Sequence, residues 1–289
     1  MQEFSYIQRA QVLIEALPHI RKYHNKIVVV KYGGAAMLNE ELKRQVMGDI
    51  ALLHLVGVRV VLVHGGGPEI NDLLNRVGKK AEFMDGLRVT DHETVEVVQM
   101  VLAGKINKGL VALMESFGRH AIGLSGLDGR MIHARQLDER LGFVGEITSV
   151  DPAPITTVLE KDYIPIISTL GCDKQGNVYN INADTAAAKI AGALGAEGLV
   201  LMSDIPGLLR DVKDESSLIR RLNADEIPQL IEQGVISGGM IPKLECCAEA
   251  LRNGTRKVFI VDGRVEHSIL MELLTDAGIG TMVRKEETK

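Results

Sequence analysis

Ile27-Val28-Val29-Val30-Lys31-Tyr32-Gly33-Gly34 and Val60-Val61-Leu62-Val63-His64-Gly65-Gly66-Gly67-Pro68 are the stretches that decide the class of fold. Each is a short apolar run, rich in β-branched residues, that ends in glycines and precedes a helical pattern. Such a run reads as a buried strand whose C-terminal end opens into a tight turn. Glycine lets the backbone come close to a ligand, and amides at the next helix start point outward as anion donors. Two such turns, one with a lysine beside it, point to a phosphate site at the C-terminal edge of a parallel sheet.

Outward from these turns, further strand-like runs lie at 121–125, 163–167, 198–202 and 257–261. Helical patterns alternate with them near 40–56, 69–78, 92–103, 107–117, 154–161, 183–194, 224–233 and 240–253. That alternation predicts an α/β fold, a three-layer αβα sandwich around a mostly parallel, doubly wound sheet. Residues 79–90, 128–149 and 171–181 are mixed polar and apolar with interspersed glycines, and read as β-hairpin flaps over the sheet edge. No low-complexity linker divides the chain. A soft boundary near 170 gives an N-terminal segment 1–25, a substrate lobe 26–170 and a nucleotide lobe 171–289. Within 5–22, Ile7, Ala10, Leu13, Ile14, Leu17 and Ile20 form one apolar stripe at helical spacing. Pro18 predicts a kink or two short helices there. The stripe must be covered by its own domain or by another subunit.

The 289 residues are 46% hydrophobic and 25% charged, an ordinary globular composition. A formal net charge of −5 argues against nucleic acid and anionic membranes as partners. No apolar run approaches the roughly 20 residues that span a bilayer. Glu3 and Glu15 among scattered apolar residues do not make a signal peptide. Cys172, Cys246 and Cys247 have neither disulfide nor metal-ligand spacing and read as small core residues in a cytoplasmic protein. No protein-only metal cluster is evident.

Several side chains can carry chemistry. Lys31 ends the first strand as a point charge for a phosphate oxygen. Gly65-Gly66-Gly67 exposes successive amides, a nest for anionic oxygens, and Pro68 suits the first turn of a helix. His64 reads as a hydrogen-bonded structural residue or, alternatively, as a general base. Neither turn has the Walker spacing or the dinucleotide Gly-x-Gly-x-x-Gly pattern. Lys243, after Gly238-Gly239-Met240, falls in a first helical turn, where the helix dipole disfavours a cation unless an anion is bound. In Asn180-Ile181-Asn182-Ala183-Asp184, Asn182 suits an N-cap and Asp184 a first turn. Alternatively Asp184 holds two cationic side chains and Asn180 binds substrate. Arg88, in Gly86-Leu87-Arg88-Val89-Thr90, is a fork for a carboxylate.

Together with Gly104-Lys105-Ile106-Asn107-Lys108, these motifs resemble the amino-acid-kinase superfamily, and within it the N-acetyl-L-glutamate kinases, over essentially the whole chain. The resemblance implies a phosphotransferase of arginine biosynthesis. ATP with Mg2+ would phosphorylate the side-chain carboxylate of N-acetyl-L-glutamate. It implies Lys31 and Lys243 as stabilisers of the transferring phosphoryl group, with Asp184 orienting both. Gly33, Gly34, Gly66 and Gly67 would offer amides to phosphoryl and substrate oxygens. Arg88 and Asn180 would hold the α-carboxylate. The segment Ser203, Asp204 to Gly207 would lie beside the nucleotide. An ionised carboxylate needs no general base, so the chemistry reduces to alignment and charge neutralisation.

The N-terminal helix resembles the extension of the hexameric, arginine-inhibited members, which implies a homohexamer built as a trimer of dimers. The same resemblance implies an L-arginine site from His19, His267, Glu272, Gly278 and Gly280. His19 stands where a tyrosine usually follows Leu-Pro in the sensitive members. A PII-type signalling protein is a further implied partner. The rival readings are another amino-acid kinase and a non-catalytic arginine-sensing module.

Overall fold

The two glycine-ended runs are neighbouring parallel strands, Ile27–Tyr32 and Arg59–His64, in register from Ile27 opposite Arg59 to Tyr32 opposite His64. Both turns therefore leave the same sheet edge side by side. In this computed structural model, which describes residues 5–37 and 39–285, they sit at the centre of an eight-stranded sheet. The spatial order is 221–223, 281–284, 257–262, 198–203, 27–32, 59–64, 164–168, 121–125. Only the pairing of 257–262 with 281–284 is antiparallel. Residues 1–4, Glu3 among them, and 286–289 lie outside the described residues.

Parallel strands covered on both faces are apolar throughout. Val28, Val30, Val60 and Leu62 point into one core, with Met47, Ile50, Leu102 and Leu110 from helices on that face. Val29, Val61 and Val63 point into the other, with Ala187, Ile190, Leu244 and Cys247. This is the expected α/β sandwich. Strands from before residue 170 fill one half of the sheet and strands from after it fill the other.

Some local expectations needed correction. Pro18 does not split the N-terminal helix, which runs unbroken from Tyr6 to Tyr23. The amide that proline lacks would have bonded the Ile14 carbonyl. Ile14 is 65% exposed, so water can replace that bond. The patterns at 92–103 and 107–117 are one continuous helical run, His92–Ser116, joined by a π-helical segment Met100–Ile106. By length and composition this run could cross a membrane, yet Val98, Val101, Leu102, Leu110 and Met114 are buried in the core. The strands Arg221–Asn223 and Thr281–Arg284 and the helix Ser268–Leu274 carry too short a pattern to be read from sequence. The flap at 79–90 is a two-residue-per-strand hairpin, Phe83–Met84 with Leu87–Arg88. The other two flaps are not separate, for 132–136, 145–150, 170–172 and 178–180 share one four-stranded sheet.

The helix Ala183–Ala193 lies close against this framework because its inner face is Ala186, Ala187, Ala188 and Ala191, all fully buried. Its N-terminus is thereby brought up to the sheet edge. Ala187→Leu should cost about 1–3 kcal/mol by overpacking and lower the thermal midpoint by roughly 2–10 °C. An unchanged midpoint in a melting experiment would contradict this packing.

Candidate active site

Three chain segments bring three charges together at the C-terminal edge of the central strands. Lys31 reaches out from Ile27–Tyr32, and Lys243 from the first turns of the helix Met240–Arg252. Asp184 lies in the first turn of Ala183–Ala193, whose N-cap is Asn182, accepting from the amides of Asp184 at 2.9 Å and Thr185 at 3.1 Å. Asp184 thus has the structural role of a first-turn acid and an ionic role as well. Its Oδ2 accepts a hydrogen bond from Lys243 Nζ at 2.7 Å. Its Oδ1 lies 2.9 Å from Lys31 Nζ. That second contact is a charge pairing without hydrogen-bond alignment, since Oδ1 has no hydrogen-bond partner. Burial alone would raise the Asp184 pKa, but the Lys31 and Lys243 charges outweigh it and hold the carboxylate below its usual range. One carboxylate between two ammonium groups leaves a net positive charge aimed at the sheet edge.

The glycines make room for this cluster. A Cβ at Gly33 would lie 3.0 Å from Lys31 Nζ. Gly34 has φ +69°, and a Cβ there would lie 2.5 Å from Asp204 Oδ1. Gly66 caps the helix Gly67–Arg76 with no side chain bonded to its free amides, and a Cβ on it would overlap Ile106 and Leu102. His64 beneath the turn is fully buried, and that burial pushes its pKa down to about 4. Its Nδ1 lies 2.9 Å from the Gly65 carbonyl and its Nε2 3.2 Å from Asn107 Nδ2, so both ring nitrogens are engaged within the fold, which favours the structural reading over that of a general base.

Arg88 is 7% exposed and stacks on Phe83, with its guanidinium carbon 4.8 Å from the ring centroid. Nη2 donates to the Gly67 carbonyl at 3.2 Å, while Nη1 is buried without a partner. Asn180 Nδ2 donates to Thr90 Oγ1 at 3.4 Å, and Thr90 Oγ1 donates to the Arg88 carbonyl at 2.8 Å. Gly66, Gly67, Arg88, Thr90 and Asn180 therefore form one group next to the charge cluster. A cleft of about 480 Å3 opens on Asp184 and Lys243, walled by Asp85 and Leu87 of the flap and by Thr185 and Cys246. Ser203 ends the strand next to that of Lys31, and Asp204 follows it beside Gly34. Gly207, with φ +147°, is set apart by its own packing, for a Cβ there would lie 2.6 Å from Thr281 Oγ1.

A second cavity, of about 450 Å3, gathers His19, Glu272, Gly278 and Gly280. Glu272 Oε2 accepts from the amides of Ile279 at 2.7 Å and Gly280 at 2.9 Å and so shapes the wall. His267 does not line it, since its Nδ1 bonds Asp49 Oδ1 at 2.6 Å instead. Lys22 and Lys257 do line it, and burial together with the Lys257 charge lowers the Lys22 pKa. Sequence reasoning missed this pair because the two lysines stand 235 positions apart, as their numbers show, and meet only in the fold. It also gives no role to Thr90 and Asn107, although both lie inside the motifs Gly86–Thr90 and Gly104–Lys108.

The family model described as the amino acid kinase family matches residues 26–262. The chain is 54% identical over 288 residues to the acetylglutamate kinase of Brachyspira hyodysenteriae, covering 99% of this chain and 100% of that one. Among solved structures it resembles the N-acetylglutamate synthase of Neisseria gonorrhoeae complexed with coenzyme A and N-acetyl-glutamate, with a TM-score of 0.85 and 28% identity. That match covers 98% of this chain but 64% of the synthase, so the chain spans under two thirds of it. The same synthase complexed with coenzyme A and L-arginine matches with a TM-score of 0.80 and 26% identity, over 98% of this chain and 66% of that one.

The state of His64 has a consequence for stability. Its ordinary pKa is 6.5 and its folded value about 4, so the unfolded chain takes up the proton first as pH falls. The stabilisation from the neutral ring is complete above 6.5 and is lost as pH drops toward about 4. Urea midpoints should therefore fall more steeply across that interval in the wild type than in His64→Asn. Equal slopes would contradict a buried neutral ring.

Proposed function

Because the chain belongs to the amino acid kinase family, and within it to the acetylglutamate kinases, we propose that it transfers the γ-phosphoryl group of ATP to the side-chain carboxylate of N-acetyl-L-glutamate, a step of arginine biosynthesis. The observation that carries this reading is the pair of lysines held on Asp184 beside an arginine whose buried Nη1 has no partner. A carboxylate oxygen attacks the γ-phosphorus, the bond to the ADP oxygen breaks, and the products are the acyl phosphate and ADP. The nucleophile is already ionised, so no base is needed. Lys31 and Lys243 neutralise charge that spreads over the phosphoryl oxygens. Asp184 stays anionic and holds both ammonium groups in place.

The amides of Gly33, Gly34, Gly66 and Gly67 bind phosphoryl and carboxylate oxygens. Arg88 and Asn180 take the α-carboxylate, which supplies the partner that Nη1 lacks. Ser203, Asp204 and Gly207 border the nucleotide. Residues 26–170 are then the acceptor lobe and 171–289 the nucleotide lobe. Magnesium would be supplied with ATP and would neutralise phosphate charge there, since the Asp184 carboxylate is already paired with two ammonium groups. Three unpaired cysteines suit a reducing cytoplasm.

Regulation belongs to the same reading. L-arginine is the proposed ligand of the second cavity, where Lys22 and Lys257 suit a carboxylate and Glu272 offers negative charge. The N-terminal helix leaves Ile7 78%, Leu13 71% and Leu17 50% exposed, a stripe suited to the same helix of another copy in a hexamer.

Trapping the acyl phosphate as its hydroxamate tests the activity. Product should form with N-acetyl-L-glutamate and not with glutamate or aspartate. No product with any of them contradicts the reading. Lys31→Ala and Lys243→Ala should each lower kcat by about 100-fold or more with KM nearly unchanged. Arg88→Ala should raise KM for N-acetyl-L-glutamate by roughly 10-fold or more, the worth of a charged hydrogen bond. Millimolar L-arginine should slow the wild type but not Glu272→Ala, and sedimentation should give a hexamer. An arginine-insensitive dimer would remove the regulatory half of the proposal and leave the kinase.

A further inference from the structure

Beneath the Gly65–Gly67 turn lies a buried polar chain that the phosphoryl chemistry leaves unused. Asn107 opens the helix Asn107–Ser116, directly after the π-helical segment Met100–Ile106. It is 1% exposed. Its Nδ2 lies 2.8 Å from the Ile166 carbonyl, 3.1 Å from the Leu124 carbonyl and 3.2 Å from His64 Nε2. Two carbonyls can only accept, so the group facing them must be the amide nitrogen, which fixes the orientation of Asn107. That nitrogen has two hydrogens for three neighbours and cannot accept, so His64 Nε2 faces a group that can only donate and is left unprotonated. His64 Nδ1 lies 2.9 Å from the Gly65 carbonyl, another pure acceptor, so the ring proton sits on Nδ1.

We propose that Asn107 and His64 are positioning residues that set the plane of the Gly65–Gly66 peptide and aim the Gly66 amide at the phosphoryl site. A trans peptide points its C=O and N–H in opposite directions. Drawing the Gly65 oxygen down onto His64 turns the Gly66 N–H outward, away from the sheet. Glycine has no side chain to hold that plane. The flanking groups are tied elsewhere, Gly65 N–H to the Tyr32 carbonyl at 3.2 Å and the Gly66 carbonyl to Ile70 N–H at 3.0 Å, whereas the Gly65 carbonyl faces His64. The π segment completes the device, since it places Leu102 and Ile106 against Gly66 and Asn107 under the ring. The Asn107 Oδ1 is left buried without a partner, the cost of this orientation.

The inference rests on the role given above to the Gly66 amide, and its test separates the two. Asn carries a donor near the position of Nδ1, whereas Leu keeps bulk and loses the donor. His64→Asn should hold kcat within about 3-fold of wild type with an unchanged pH profile. His64→Leu should lose about 30-fold or more in kcat, with KM for ATP little altered. Equal loss in both variants, or full activity in His64→Leu, overturns the proposal. A measurement on the wild-type chain needs no variant to fold: nitrogen-15 NMR of labelled histidine should show His64 protonated at Nδ1 alone between pH 6 and 8. Protonation at Nε2 overturns it. If the wild type does not phosphorylate N-acetyl-L-glutamate, the substrate reading fails, and the NMR result still decides the positioning.

Discussion

The arrangement of the site depends on one carboxylate shared by two ammonium groups. Asp184 is half-buried, with Lys31 at 2.9 Å and Lys243 at 2.7 Å. Burying a lone charge is costly, and each of these three would be costly without the other two. Together they link a strand of one half of the sheet to two helices of the other. The cluster is stable as a structural unit and still carries excess positive charge. A site that must receive phosphate oxygens needs that combination. On the proposed reading the lysines are already held by Asp184 when the ligand arrives, so little reorganisation is left for the reaction itself.

Room for the ligand comes from what is missing at the turns. Gly33, Gly34 and Gly66 each occupy a place where a Cβ would press on Lys31, Asp204 or the π-helical segment. The backbone can therefore come up to the charge cluster with its amides exposed. Such a turn is floppy unless something below it fixes the peptide planes, and the buried His64 and Asn107 lie directly beneath. The charge cluster and the glycine turn thus solve complementary problems: one supplies charge, the other direction.

Much of this was legible in the sequence. Apolar runs ending in glycine could only be buried strands with open turns, so the αβα sandwich and the edge that carries the site followed directly. Asp184 was ambiguous by itself, because a first-turn acid after an asparagine is also an ordinary cap. The structure shows that it serves as both. What stayed hidden was tertiary. Thr281–Arg284 pairs with strands on either side of it, yet its four residues have no pattern of their own. The helical patterns at 92–103 and 107–117 read as two helices, whereas a π segment, Met100–Ile106, joins them into one run. The resemblance groups His267 with Glu272, but its ring bonds the buried Asp49 instead. A buried asparagine such as Asn107 gives no local signal, since its three partners lie on three different strands.

The central claim is that both lysines, tied to one aspartate, meet the phosphoryl group as it moves. A crystal structure with magnesium, ADP, aluminium fluoride as the planar phosphoryl mimic, and N-acetyl-L-glutamate tests it most directly. The account predicts Lys31 Nζ and Lys243 Nζ both within hydrogen-bonding range of the fluorides, about 2.7–3.2 Å, with Asp184 still between them. Either ammonium group turned away from the mimic, with Asp184 bound to the metal instead, would contradict it.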